Sequence, residues 1–259
     1  MDLLKVTELS KTFGGLKAVQ KVDFAAQIGK ITSIIGPNGA GKTTVFNMLS
    51  GFYIPDSGSI CLDGEEIAGL KTHHFIRKGI VRTFQNIRLF SELTVLDNVL
   101  IGIQGKISYN LWDSIIKTKK RDKQEKESVF QAERVLQKVG LLDKRDEISK
   151  NLPYGQQRKL EIARAIVSSP RLILLDEPAA GMNPQETLEL NLLIKTLPDE
   201  GITVLLIEHD MKLVMEISDH IVVLDHGVKL TEGDPGEVRK DARVIQAYLG
   251  KGAGADVAH

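Results

Sequence analysis

The chain has 259 residues, 42% of them apolar and 26% charged, enough to bury one large core or two small ones. Its 34 basic side chains balance 34 acidic ones, which leaves no global field to recruit nucleic acid or acidic lipid, and a lone cysteine, Cys61, excludes an internal disulfide and a multi-cysteine metal site. No apolar run approaches the ~18 residues of a membrane span and the amino end lacks a signal peptide's apolar segment, so the sequence predicts a soluble globule that sits beside any membrane it meets.

Residues 3–9 and 19–27 read as strands, the second because Val22, Phe24 and Ala26 alternate with mostly polar neighbours. Phe13, just ahead of Gly14 and Gly15, admits two readings: a core side chain, or a platform that stacks on a nucleotide base. A short apolar strand at 31–35 runs into Gly36, Pro37, Asn38, Gly39, Ala40, Gly41, Lys42, Thr43 and Thr44. This is the G-x-x-x-x-G-K-[ST] pattern in the strand-to-helix context it needs. Its glycines let backbone N–H groups approach a polyphosphate, the helix start aims its positive end at the anion, Lys42 adds a charge, and the Thr43 hydroxyl is offered to Mg²⁺. A further strand between Gly58 and Gly64 completes a small antiparallel sheet beside an α/β core.

Residues 80–84 read as a strand that delivers Gln85, and Thr94, with Asp97 three residues on, caps a helix running to about residue 101. Residues 113–139 have helical composition. Their cations Lys117, Lys119, Lys120, Arg121, Lys123 and Lys126, interleaved with Asp122, Glu125 and Glu127, read either as a solvated face or as a contact with a membrane surface or partner. LPYGQQ at 152–157 precedes a helix with Leu160, Ala163, Ile166 and Val167 on one face, and places turn residues at a helix amino end, where N–H groups attract anions. LILLDEP at 172–178 is an apolar strand ending in Asp176 and Glu177. A continuously apolar strand belongs inside a parallel sheet, and ligands bind at the carboxyl ends of such strands. Asn183 and Pro184 open another helix. Residues 203–207 repeat the buried-strand pattern and end in Glu208, His209 and Asp210. A strand at 221–224, a hairpin around Asp225, His226 and Gly227, and a helix ending near Leu249 follow, with 251–259 as a frayed tail.

The phosphate loop, Gln85, Asp176 with Glu177, and His209 thus all lie at or just after carboxyl ends of expected core strands, where they can converge on one phosphate. In that arrangement Asp176 holds Mg²⁺ through its water shell, Glu177 takes a proton from the attacking water, and Gln85 and His209 orient that water and sense the γ-phosphate.

With the 152–157 turn added, the set resembles the ATP-binding-cassette ATPases, from about residue 4 to residue 250. The resemblance makes Phe13 the base-stacking A-loop, 36–43 the Walker A loop, Gln85 the Q-loop, 152–157 the signature motif, Asp176 and Glu177 the Walker B pair, and His209 the H-loop. It implies the following fold: α/β, a P-loop NTPase core with an antiparallel β subdomain and an inserted α-helical subdomain at about 86–168, all in one domain over 4–250. It also implies Mg²⁺ bound by Thr43, Gln85 and Asp176, and ATP shared head to tail between one subunit's phosphate loop and the other's signature residues Tyr154, Gly155 and Gln156. Pro153 and Tyr154 depart from the family's usual serine and first glycine.

FGGLKA at 13–18, RTFQNIRLF at 82–90, YGQQ at 154–157, EPAAGMNP at 177–184, IEHDMK at 207–212, the charged insertion after Gly105 and the ending AYLG at 247–250 are similar to the longer of the two ATP-binding subunits of bacterial branched-chain amino-acid importers. That likeness implies a second ATP-binding subunit, identical or paralogous, two transmembrane permeases, and indirectly a periplasmic binding protein. It places the chain on the cytoplasmic side of the inner membrane, with no nucleic acid as partner. Other readings are a cassette for urea, other amino acids or lipopolysaccharide, a non-transport cassette protein, and a P-loop kinase. A kinase has no need of the signature turn or of a glutamate directly after the Mg²⁺ aspartate. Non-transport relatives typically carry two cassettes or a long coiled coil, and this chain shows neither repeat nor heptads. The apolar trio Ile87, Leu89 and Phe90 reads equally as core and as a seat for a permease helix.

Overall fold

A computed structural model describes residues 1–104 and 119–249. Strands β1 (Asp2–Phe13) and β2 (Leu16–Gln27) form a long antiparallel hairpin with Val6 opposite Phe24 and Leu4 opposite Ala26. β1 extends beyond the expected 3–9: Glu8 adopts φ 47° and the register shifts between Val6 and Leu9, and this bulge carries the strand past the polar residues 10–12. After β3 (Ile31–Ile35) comes the helix Lys42–Leu49, then β4 (Ser57–Leu62) and the two-residue β5 (Glu65–Glu66), which complete a sheet of order β2-β1-β4-β5.

The second sheet holds the site. Its strands are β3, β6 (Ile80–Arg82), β7 (Leu172–Asp176), β8 (Thr203–Ile207), β9 (His220–Asp225) and β10 (Val228–Gly233), in the order β10-β9-β3-β8-β7-β6. All neighbours pair parallel except β9 with β10, which is antiparallel at the edge. β6 stops at Arg82, short of the expected residue 84, so Gln85 leaves from a loop. Every residue of β3, β7 and β8 is buried, and alternate residues serve opposite faces. Ile34, Leu172, Leu174, Leu205 and Ile207 pack with Val45, Phe46 and the β1–β2 hairpin. Ile35, Ile173, Leu175, Val204 and Leu206 pack under the helices. Each such leucine or isoleucine is worth about 1.5–3 kcal/mol relative to exposure, so the two layers together fix how the strands align.

On the second face, the helices Val95–Gln104, Lys119–Lys138 and Tyr154–Ile166 pack against one another. The expected helix over 113–139 therefore appears at 119–138, and its predicted start, together with Lys117, lies outside the described residues, as does 251–259. Lys123, Glu125, Lys126 and Glu127 are exposed. Asn183 and Glu186 form a reciprocal capping box on the helix Pro184–Thr196, as the Asn-Pro start predicts. The short helices Thr72–Arg77, Met211–Ile217 and Pro235–Lys240 span two turns or fewer, too short for a periodic pattern to announce them.

Candidate active site

Between β3 and the helix Lys42–Leu49 the chain makes a tight loop that glycine alone permits at two points. A Cβ on Gly36 would lie 2.1 Å from the Leu224 carbonyl oxygen, and one on Gly41, at φ 99°, 2.5 Å from that of Ala18. Lys42 is nearly buried and arches back over the loop, its Nζ donating to the carbonyls of Gly36 (2.6 Å) and Pro37 (3.1 Å). Asn38, Gly39 and Thr43 are exposed, and Thr44 is half-buried. The first turn of the helix directs its N–H groups into the loop, where an anion is favoured.

Asp176 and Glu177 emerge side by side at the end of β7 but meet different partners. Asp176 is buried and accepts from Arg82 Nη2 at 2.8 Å, while Arg82 Nη1 donates to Asn47 Oδ1 (2.7 Å) and Ser50 Oγ (2.9 Å). The carboxylate is thereby tied to β6 and to the helix that follows the phosphate loop. Glu177 takes φ 46°, unusual for a residue with a Cβ, while its N–H donates to Ile207 O at 2.9 Å. This turn sends its side chain out of the sheet, and Oε2 accepts from Gln85 Nε2 at 2.8 Å. His209 Nδ1 stands 3.9 Å from the same oxygen. Three residues separated by up to 124 positions in sequence (85, 177 and 209) therefore meet around one carboxylate oxygen.

Glu208, named in the sequence but given no role there, is the buried support of that meeting. Its Oε1 accepts the Ala179 N–H at 2.9 Å and its Oε2 accepts the His209 N–H at 3.3 Å, so one carboxylate braces the turn after Glu177 and the backbone that carries the histidine. Burial pushes its carboxyl above the usual carboxylate range; the hydrogen bond from Ala179 and the nearby His209 oppose that shift, and Glu177 adds to it. Asp210 accepts from the N–H groups of Lys212 and Leu213 and caps the next helix, which fixes the histidine's far side.

Phe13 is 39% exposed and stacks edge-on with Tyr53, centroids 5.1 Å apart, so it is not a core residue. Its hairpin abuts the phosphate loop through the close approach of Ala18 to Gly41. Tyr154, Gly155 and Gln156 gather on a different wall. The Tyr154 hydroxyl donates to Ala180 O at 3.1 Å, Gly155 faces the Glu186 carboxylate, and Gln156 Oε1 accepts from Lys144 at 2.9 Å. Among Ile87, Leu89 and Phe90, the first two are half-buried and Phe90 is 50% exposed, which removes the core reading for Phe90. Leu89 and Phe90 line a largely apolar groove of about 800 Å³, with Phe84 and Ile101 across from them.

Comparison with known proteins agrees with this geometry. The ABC transporter family model matches residues 19–180, and a second model, the branched-chain amino acid ATP-binding cassette transporter, matches residues 228–254. The chain is 50% identical over 250 residues to the high-affinity branched-chain amino acid transport ATP-binding protein BraF of Pseudomonas aeruginosa, covering 96% of this chain and 98% of BraF. It is 47% identical to LivG of Escherichia coli K12, which carries the same description, over the same shares of each chain. A solved ATP-binding cassette of an ABC transporter in its ADP conformation superposes with a TM-score of 0.84 at 32% identity, over 96% of this chain and 99% of that one.

The buried Glu208 gives a pH test. A carboxyl raised in the folded state above its ordinary 4.5 binds its proton more tightly when folded, so it contributes stability below that pH and loses it as pH rises through the raised value. Relative to Glu208→Gln, which keeps an acceptor for Ala179, the wild-type melting temperature should therefore fall as pH rises from 4.5 toward neutrality. Parallel melting curves for the two proteins across that range would show that Glu208 is ordinarily ionised in the fold.

Proposed function

We infer that this chain, which belongs to the ABC transporter family, is the ATP-hydrolysing subunit that drives uptake of branched-chain amino acids. The full-length likeness to BraF and LivG and the match over 228–254 support the cargo. The observation that carries the chemistry is the convergence of Gln85 and His209 on Glu177 beside the phosphate loop.

ATP enters with its phosphates in the loop 36–43, where Lys42 exchanges two backbone carbonyls for phosphate oxygens and the helix start faces the charge. Phe13, exposed on the hairpin that meets the loop at Ala18, stacks on the base. The Thr43 hydroxyl, the Asp176 carboxylate and the Gln85 amide are hard oxygen donors, and among the described residues there is no cluster of three or more acids, histidines or cysteines that would cage a metal alone. That donor set fits Mg²⁺, an ion that keeps waters and takes other ligands from substrate phosphates. When bound, Mg²⁺ neutralises charge building on the β- and γ-phosphates. Arg82 holds Asp176 in one orientation for that role. Glu177 Oε2 takes the proton of the attacking water, and Gln85, hydrogen-bonded to that oxygen, and His209, 3.9 Å from it, orient the water.

Tyr154, Gly155 and Gln156 serve a second ATP-binding subunit, identical or paralogous, by closing its nucleotide site. The anion contact falls to Gly155 and the free N–H groups of the helix amino end. The apolar groove at Phe84, Leu89 and Phe90 takes a short helix from one of two permease subunits, which sets the chain at the cytoplasmic face of the membrane. No helix among the described residues is long and apolar enough to cross it. A periplasmic binding protein then delivers cargo on the opposite side.

Two outcomes follow. Glu177→Gln should bind Mg-ATP as the wild type does and hydrolyse it at least about 10²-fold more slowly, the cost of a lost general base. Near-normal turnover in this variant, with turnover lost in His209→Ala, would move the base to His209. Phe90→Asp should leave the melting temperature and basal hydrolysis of the subunit near wild type yet abolish co-purification with the permeases, because a charge in an apolar contact is costly without a partner. A variant that folds and still binds them would remove the groove as the docking seat.

A further inference from the structure

Arg158 sits one turn into the helix Tyr154–Ile166 and is fully buried. A guanidinium in that position pays a large desolvation cost unless every donor finds an acceptor. Four of its hydrogens do. Nη1 donates to Phe84 O (2.7 Å) and Glu161 Oε2 (2.8 Å), and Nη2 donates to Gln85 O (2.6 Å) and to the Tyr154 hydroxyl (3.3 Å), while Nε has no partner. Glu161, buried on the same helix, accepts the Arg88 N–H at 3.3 Å through its other oxygen. The backbone of 84, 85 and 88 is thus fastened to the helix that starts at the 152–157 turn, and the Gln85 side chain stays free to reach Glu177. Tyr154 extends the cluster, donating to Ala180 O at 3.1 Å with its ring about 3.4 Å from where a Cβ on Gly181 would be.

A buried ion pair is a poor stabiliser, since apolar side chains of similar volume often serve the fold equally well. A planar fork that spans two successive carbonyls does something they cannot: it makes the loop and the helix move as one body. We propose that Arg158, with Glu161 and Tyr154, is a positioning device that carries the state of Gln85 to the 152–157 turn. Resting on the reading above, in which that turn serves the partner subunit's ATP, the device lets nucleotide at this chain's phosphate loop set the site of its neighbour. When Gln85 leaves Glu177 for the γ-phosphate, its carbonyl draws Arg158, and with it the first turn of the helix, away from the Ala180 carbonyl.

Hydrogen exchange on the full chain, at a concentration where sedimentation shows monomer, reads this directly. Adding Mg²⁺ with a non-hydrolysable ATP analogue should change exchange in wild type both at 36–49 and at 153–162. In Arg158→Met/Glu161→Leu, which replaces the pair by apolar groups, the change at 36–49 should persist and that at 153–162 should be lost. Arg158→Lys, which keeps a charge beside Glu161 but cannot span both carbonyls, should show the same loss, and it decides the matter alone if the double variant does not melt cooperatively. An undiminished response at 153–162 in these variants, or none there in wild type, overturns the proposal. Absence of any change at 36–49 in wild type instead overturns the nucleotide reading on which the proposal rests.

Discussion

A strand with both faces buried cannot carry charge along its length, so any polar chemistry it supports must sit where it ends. β3, β7 and β8 are such strands, each buried at every residue. Their carboxyl ends release the phosphate loop, the pair Asp176 and Glu177, and the pair Glu208 and His209, and the loop after the neighbouring β6 brings Gln85. Parallel pairing in register, Asp176 opposite Ile207 and Ile34 opposite Ile207 and Val222, brings these ends level. The site follows from the packing of the sheet.

Charges buried just behind that rim decide how the rim is shaped. Arg82 ties Asp176 to Asn47 and Ser50, Glu208 braces the Ala179 turn and the histidine backbone, and Arg158 with Glu161 binds the Gln85 loop to the helix beyond it. None of the three touches the phosphate loop in its hydrogen bonds, and each would be costly if left unpaired. They convert a flexible set of loops into fixed partners for one carboxylate.

Much of this was legible in the sequence, for physical reasons that also explain the gaps. The continuous apolar runs at 172–176 and 203–207 declare buried parallel strands, and the Asn183-Pro184 start declares a capped helix, both as found. β1 was longer than its alternation suggested because a bulge at Glu8 interrupts the period, and β6 was shorter because its ladder with β7 stops at Arg82 opposite Leu174, with one more backbone bond from Thr83 to Leu174. Phe13 and Phe90 could not be told from core residues by composition, since only the fold shows which aromatics lack a covering layer. Arg82, Glu208, Arg158 and Glu161 were missed because a lone charge in a sequence looks like surface. The signal that could have found the last two is their place on one helical face with Ala165, among residues that are otherwise buried.

The proposed hydrolysis requires the ends of the core strands to close around the γ-phosphate of ATP. A structure of Glu177→Gln with Mg-ATP tests it most directly. The triphosphate is expected in the loop 36–43, with Gln85 and His209 within hydrogen-bond reach of the γ-phosphate or of its attacking water. A triphosphate bound elsewhere, or bound in the loop with Gln85 and His209 turned away from the γ-phosphate, would contradict it.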